Sequence, residues 1–155
     1  QGSEDKACHA YLNRKTARTE VMFKSGGCAY VYLCYGVHHL FNIVTHKKNF
    51  PYAILVRAIQ PLFGINAMLK RRKKKKLVRS LTAGPGSLTQ ALGIQRNHSG
   101  ICLTSNVIWI EDQGHNFLEE QIIASPRVGI SYAQDHALLP LRFRIKNNSW
   151  TSIAK

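Results

Sequence analysis

Apolar and polar positions alternate through AYVYLC (29–34), where Tyr30 and Tyr32 fall two apart and so share one face of an extended strand. Tyr35 breaks the step. It stands three beyond Tyr32 and directly before Gly36, so a bend there lifts it off the sheet. The apolar run VHHLFNIVTH (37–46) continues as a further strand, and AYVYLCYGVHHLFNIV reads as a buried β-hairpin. Upstream, residues 21–34 are rich in Val, Tyr and Phe around Ser25-Gly26-Gly27, which predicts two strands joined by a turn. HKKNFP is a polar turn, and YAILVRAIQP (52–61) is an apolar strand stopped by Pro61. Ile65, Met68 and Leu69 recur at helical spacing and predict a helix from about residue 64 that runs into KRRKKKK (70–76). After a Gly-Pro-Gly turn, Ser87 is the expected N-cap of a short helix, LTQALGI. The runs 101–111 and 141–146 are strand-like, and residues 1–20 are a polar loop or short helix. The expected fold class is α+β: a single compact domain over 1–155, with a mostly antiparallel curved sheet, a protruding hairpin and helices packed outside.

Charge narrows the class of partner. The 155 residues carry 22 Lys+Arg against 8 Asp+Glu, a formal net charge of +14, which favours a polyanion. No apolar stretch approaches the roughly 20 residues of a spanning helix, and no signal or lipidation motif is visible, so nucleic acid is favoured over a membrane surface. Cys8, Cys28, Cys34 and Cys102 are dispersed among apolar neighbours without a C-x-x-C pair, and read as reduced thiols of a cytosolic protein. The seven histidines are scattered, and none of them forms a ligand pair with carboxylates, so neither a metal nor a cofactor is expected. The seven consecutive basic residues 70–76 read as a flexible loop that attracts phosphates without reading sequence.

Taken one at a time, the remaining polar residues have ordinary explanations. Strand tyrosines pack as readily as they bind, and a lone His9 in a polar leader is a solvated histidine. Asn42, between Phe41 and Ile43, and Arg57, at the end of an apolar strand, are more telling, because each needs a partner when buried.

The blocks MFKSGGCAYVYLCYGVHHLFNIV, AILVRAIQP, GPGSLTQALGI, PRVGISYA and PLRFRIKNNSWTS, in that order, closely resemble the alkyladenine (3-methyladenine) DNA glycosylase family over nearly the whole chain. The resemblance implies a monofunctional DNA-repair enzyme that binds double-stranded DNA, flips out an alkylated purine and hydrolyses its N-glycosidic bond. Tyr35 matches the intercalating residue that fills the gap, and Tyr32 the platform on which the flipped base stacks. His9 matches the histidine on the other side of the base. Asn42 matches the pocket-floor asparagine that crowds the amino group of normal guanine. Arg57 matches the arginine that orients the attacking water near the target phosphate. Tyr30 is a face-mate that braces Tyr32. Lys70, Arg71, Arg72 and Ser87 are the expected phosphate contacts, although Ser87 stands where relatives usually carry lysine, and Gln60 where they carry glutamate.

One part of the family pattern is missing from these residues. The family's general base is a glutamate in a Glu-Thr-Glu-Ala-Tyr type strand end, which would fall just before Gln1. Glu4 and Asp5 match a different acidic pair and lie too close to His9 to replace it. The chain lacks an initiator Met, so a truncated glycosylase is the first expectation, a monomer of the bacterial cytoplasm and nucleoid. The alternative is a non-catalytic or weakly active binder of damaged DNA, and a third reading is a basic RNA-binding protein that uses charge alone.

Overall fold

The computed structural model describes residues 2–151. After two 3₁₀ turns, Tyr11–Asn13 and Glu20–Phe23, the chain forms three antiparallel strands: β1 (Ala29–Cys34), β2 (His38–Val44) and β3 (Ala53–Leu55), in the order β1-β2-β3. Two α-helices follow among the described residues, α1 (Ile65–Arg71) and α2 (Pro85–Leu92). A second antiparallel pair, β4 (Ile122–Ser125) and β5 (Arg142–Ile145), completes an α+β domain with open antiparallel sheets.

The period-two pattern decides what each face of the sheet meets. Cross-strand partners share a face, and the register sets Tyr30 opposite Asn42 and Tyr32 opposite Leu40. On that face Tyr30 and Val44 pack with Cys8, Ala10, Met22, Cys28 and Ala53, and Tyr32 lies against the cluster. On the other face Ala29, Val31 and Phe41 pack with Ile94 and Leu103. The leader therefore covers the tyrosine face, while the end of α2 and the segment after it cover the back. Met68, Leu81 and Ala91 join α1 to α2 in a third cluster.

The hairpin tip has an unusual backbone. Tyr35 and Gly36 both have positive φ, +50° and +72°, the pattern of a type I′ turn, and the Val37 N–H donates to the Cys34 carbonyl at 3.2 Å. Glycine adopts this region freely, but a tyrosine there carries strain.

Several sequence expectations are corrected by the structure. Residues 21–23, expected as strand, lie in the 3₁₀ turn Glu20–Phe23: the Met22 N–H bonds locally to the Thr19 carbonyl, and the Met22 side chain is buried in the core cluster with Tyr30. The strand expected over 52–61 is only three residues long, because the chain leaves β2 after Val56 and Ala58 pairs with Ala83 instead. Residues 101–111 form no strand. Their first residues run along the edge of β1, with Cys28 bridged to Cys102, and Thr104 then pairs back to Trp109. Helix α2 starts three residues earlier than expected, with Pro85 at its first position and Gly84, at φ +141°, as N-cap; Ser87 is inside the helix. The basic run expected as a loop begins inside α1, which contains Lys70 and Arg71. Strand β4 is an element the pattern did not reveal. All four cysteines are free thiols: Cys8 and Cys28 are buried, and Cys102 is exposed at the bridge.

Candidate active site

The tyrosine face of β1 and β2 carries a compact aromatic cluster. The His9 ring meets Tyr32 edge to face at a centroid distance of 4.5 Å, and Tyr30 lies 5.5 Å from Tyr32. His9 Nδ1 is 2.8 Å from the Tyr30 hydroxyl. Its Nε2 lies 3.2 Å from Arg18 Nη2, and the Arg18 guanidinium sits 4.9 Å from the centre of the Tyr32 ring. A guanidinium only donates, so Nε2 accepts, and Nδ1 carries the proton that it donates to Tyr30. Burial, aided by the Arg18 charge, holds His9 neutral, with its pKa lowered from 6.5 to about 4. Burial likewise pushes both the Tyr30 and Tyr32 phenols up to about 12, so neither ionises at neutral pH.

Asn42 forms the floor of this face. It is 3 % exposed, and its amide donates to the Tyr30 carbonyl at 3.1 Å and to the Leu40 carbonyl at 3.4 Å. The demand for a partner that the sequence raised is met by the hairpin's own backbone. Arg57 follows β3 and lies within electrostatic reach of Arg142 and of Tyr32. Its Nε is buried without a hydrogen-bond partner among the described residues. Burial and the Arg142 charge both lower the Arg57 pKa.

Tyr35 stands at the tip of the hairpin, 90 % exposed, with Val37 and Leu33 exposed beside it. The structure thus brings His9, Tyr32 and Asn42 to one sheet face, places Arg57 at its edge, and sets Tyr35 beyond its end. The basic residues lie elsewhere. Arg71 Nη1 donates to the Ala91 carbonyl at 3.0 Å, while Arg72 bonds Gln90, the Ser80 carbonyl and the Ser87 hydroxyl, so both clamp α1 onto α2. Lys70 is exposed.

The leader carboxylates are committed. Asp5 is 4 % exposed and forms a two-pronged pair with Arg127, at 2.5 and 2.9 Å. Burial alone would raise its pKa, but the Arg127 hydrogen bonds, the Ala7 N–H and the Arg127 charge together bring it below the ordinary value. Glu4 accepts from the Tyr52 hydroxyl at 2.7 Å. Sequence reasoning did not find Arg18, Arg127 or Arg142. Arg18 sits in a polar leader where nothing in TART distinguishes it, and the other two are recognisable only once the chain has folded back on itself.

Residues 1–149 match the methylpurine-DNA glycosylase (MPG) family. The chain is 45 % identical over 144 residues to a protein of Chlamydia felis (strain Fe/C-56), covering 92 % of this chain and 73 % of that one. It is 42 % identical over 159 residues to one of Alkaliphilus oremlandii (strain OhILAs), covering 97 % and 77 %. It is also 42 % identical over 153 residues to one of Natranaerobius thermophilus, covering 98 % and 77 %. Each of the three bears the name "Putative 3-methyladenine DNA glycosylase". The chain belongs to the methylpurine-DNA glycosylase family, and so to the DNA glycosylases, which are DNA-repair hydrolases.

Proposed function

We propose that this protein excises alkylated purines of the 3-methyladenine and 7-methylguanine type from double-stranded DNA, by flipping the nucleotide and hydrolysing its N-glycosidic bond. The observation that carries the reading is the hairpin itself. One strand pair presents a half-buried Tyr32 ring beside a neutral His9, and the same pair ends in a fully projecting Tyr35. An extruded base leaves a gap in the stack, and an exposed aromatic tip fills it at the cost of unstacking a few kcal/mol of DNA. The base then stacks on Tyr32, where a cationic purine gains about 0.5–2 kcal/mol over a neutral one. Asn42 crowds the pocket floor against the amino group of normal guanine, and Arg57 orients the water and meets the target phosphate. A cationic purine leaves without protonation, so the chemistry asks for an activated water and no general acid. Lys70, the exposed lysines after it and the overall positive charge supply binding that ignores sequence. The protein acts in this reading as one domain and as a monomer, in a bacterial cytoplasm.

A second reading is favoured by the carboxylates. Glu4 and Asp5 are held by Tyr52 and Arg127, and neither is free to deprotonate water. A site without a general base would lose roughly 10²–10⁴ in rate and act as a binder of damaged DNA with slow excision.

Base release from a duplex containing 7-methylguanine separates the two, with Tyr35→Ala measured alongside. Release of free base supports the enzyme, and tight lesion binding without release supports the binder. Under either reading Tyr35→Ala weakens binding to lesion duplex more than to single strands. Equal loss on both substrates would end the wedge assignment.

A further inference from the structure

Residues 101–103 return to the sheet at the end of β1 farthest from the hairpin tip. The Ala29 N–H donates to the Ile101 carbonyl at 2.8 Å, and the Leu103 N–H to the Gly27 carbonyl at 2.7 Å. These two bonds bracket the facing residues Cys28 and Cys102, which exchange none themselves. That is the non-hydrogen-bonded position of an antiparallel ladder, where facing α-carbons stand about 4.5 Å apart and both side chains leave the same face. A disulfide joins α-carbons about 4.4–6.8 Å apart, so this rung has the separation that a cross-strand disulfide needs. Cys34 has no such neighbour, since His38 faces it across the hairpin. The two thiols of the rung differ in their surroundings. Cys102 is exposed, and its sulfur lies 3.0 Å from the Thr104 hydroxyl, whose hydrogen bond lowers its pKa from the ordinary thiol value. Cys28 is buried in the core cluster with Tyr30 and Val44, and its thiol donates to the Ser25 carbonyl at 3.4 Å. Burial raises its pKa against the opposing pull of the Lys24 charge. A reagent in solvent therefore meets Cys102 first, with Cys28 behind it.

We propose that Cys28 and Cys102 form an oxidative modification site, a dithiol that a peroxide closes into a disulfide tying residues 101–103 to the start of β1. The Cys102 thiolate attacks one peroxide oxygen. An S–O bond forms as the O–O bond breaks, so the sulfur is oxidised to a sulfenic acid while the peroxide is reduced. The departing oxygen takes the proton that the thiol gave up. The Cys28 sulfur then attacks the Cys102 sulfur: the S–S bond forms, the S–O bond breaks, and hydroxide leaves with the Cys28 proton as water. A dithiol reductant reverses the closure and is itself oxidised to a disulfide.

The test is treatment of the reduced, dilute, native protein with hydrogen peroxide. Of the four free thiols, two are expected to be lost to a thiol reagent, with the intact chain lighter by two hydrogen atoms. Dithiothreitol should restore all four. Chymotrypsin cuts after Tyr30 and Tyr32, between Cys28 and Cys34, and should release a linked pair of peptides that holds Cys28 and Cys102. Cys102→Ser changes an exposed side chain and should abolish the link while circular dichroism stays unchanged. In Cys28→Ala the reaction should stop at the sulfenic acid of Cys102, trapped by a cyclic 1,3-diketone as a single adduct. Should that buried substitution unfold the chain, the peptide map and Cys102→Ser still decide the matter. Survival of all four thiols at peroxide levels that oxidise free cysteine would overturn the proposal. So would a link between other cysteines, or a dimer joined through Cys102 in place of the internal bond.

Discussion

His9 is useful to a base pocket only while neutral, because a protonated imidazole would repel the cationic purines proposed to stack beside it. Its two nitrogens are already assigned, one to Tyr30 and one to Arg18, and burial together with the Arg18 charge brings its pKa to about 4. Two consequences follow at this scale. Affinity for a 7-methylguanine duplex should stay flat as pH falls from 8 to about 5 and drop as it nears 4, which fluorescence anisotropy at constant ionic strength would show. Stability moves the same way. The unfolded chain protonates His9 near 6.5 and the folded one only near 4, so the His9 contribution is complete above 6.5 and is lost between those values. In Tyr30→Phe the Nδ1 proton loses its acceptor, and stability should fall by about 1–3 kcal/mol in urea titration. The residue types at His9, Tyr32 and Asn42 were legible in the sequence because a resemblance marked them. The contact of Arg18 with Tyr32 was not, since it depends on a turn that brings a leader side chain over a strand ring.

The hairpin shows what local sequence can encode. Alternation placed Tyr30 and Tyr32 on one face, and the three-residue step to Tyr35 before Gly36 placed the tip; the structure has both. Strand assignments failed where side chains mattered more than propensity. Residues 21–23 are apolar enough for a strand, but Met22 must point into the core from a tight turn. Residues 101–111 contribute only an edge to β1 before turning back. The tip itself gives a prediction with two opposite signs. Asn tolerates the left-handed region better than Tyr, so Tyr35→Asn should stabilise the protein by about 1 kcal/mol while weakening lesion-duplex binding. Urea denaturation and duplex titration on the same sample check both. A substitution that improves the fold and harms binding marks a residue kept for its contact with DNA.

For the whole molecule, the governing contact is the buried pair between Asp5 and Arg127, whose side chains are 5 % and 8 % exposed. Around it Lys6 reaches Asp135 at 2.7 Å, and Arg127 also donates to the His136 carbonyl at 3.0 Å. Asp5→Ala would leave Arg127 buried without its carboxylate and should cost about 3–5 kcal/mol in denaturant titration. The Asp5 contribution is present above the ordinary carboxylate pKa and is lost as pH falls through its lowered folded value, below the window in which His9 acts. Charge was the most legible global property: +14 pointed to a polyanion before any element was placed. Replacing Lys73, Lys74, Lys75 and Lys76 by alanine should flatten the salt dependence of binding, by about 0.9 in the log–log slope for each phosphate no longer neutralised, equally on damaged and undamaged DNA.

The same pair has a consequence for how the protein comes into being. Asp5 and Arg127 are 122 positions apart, and at roughly 5–20 residues per second a ribosome needs on the order of ten seconds to deliver the second after the first. The hairpin can pair within microseconds of emerging, well before Asp5 has Arg127 to hold it. A nascent chain thus displays its aromatic tip early and gains the tie from Asp5 to Arg127 only after residue 127 has emerged.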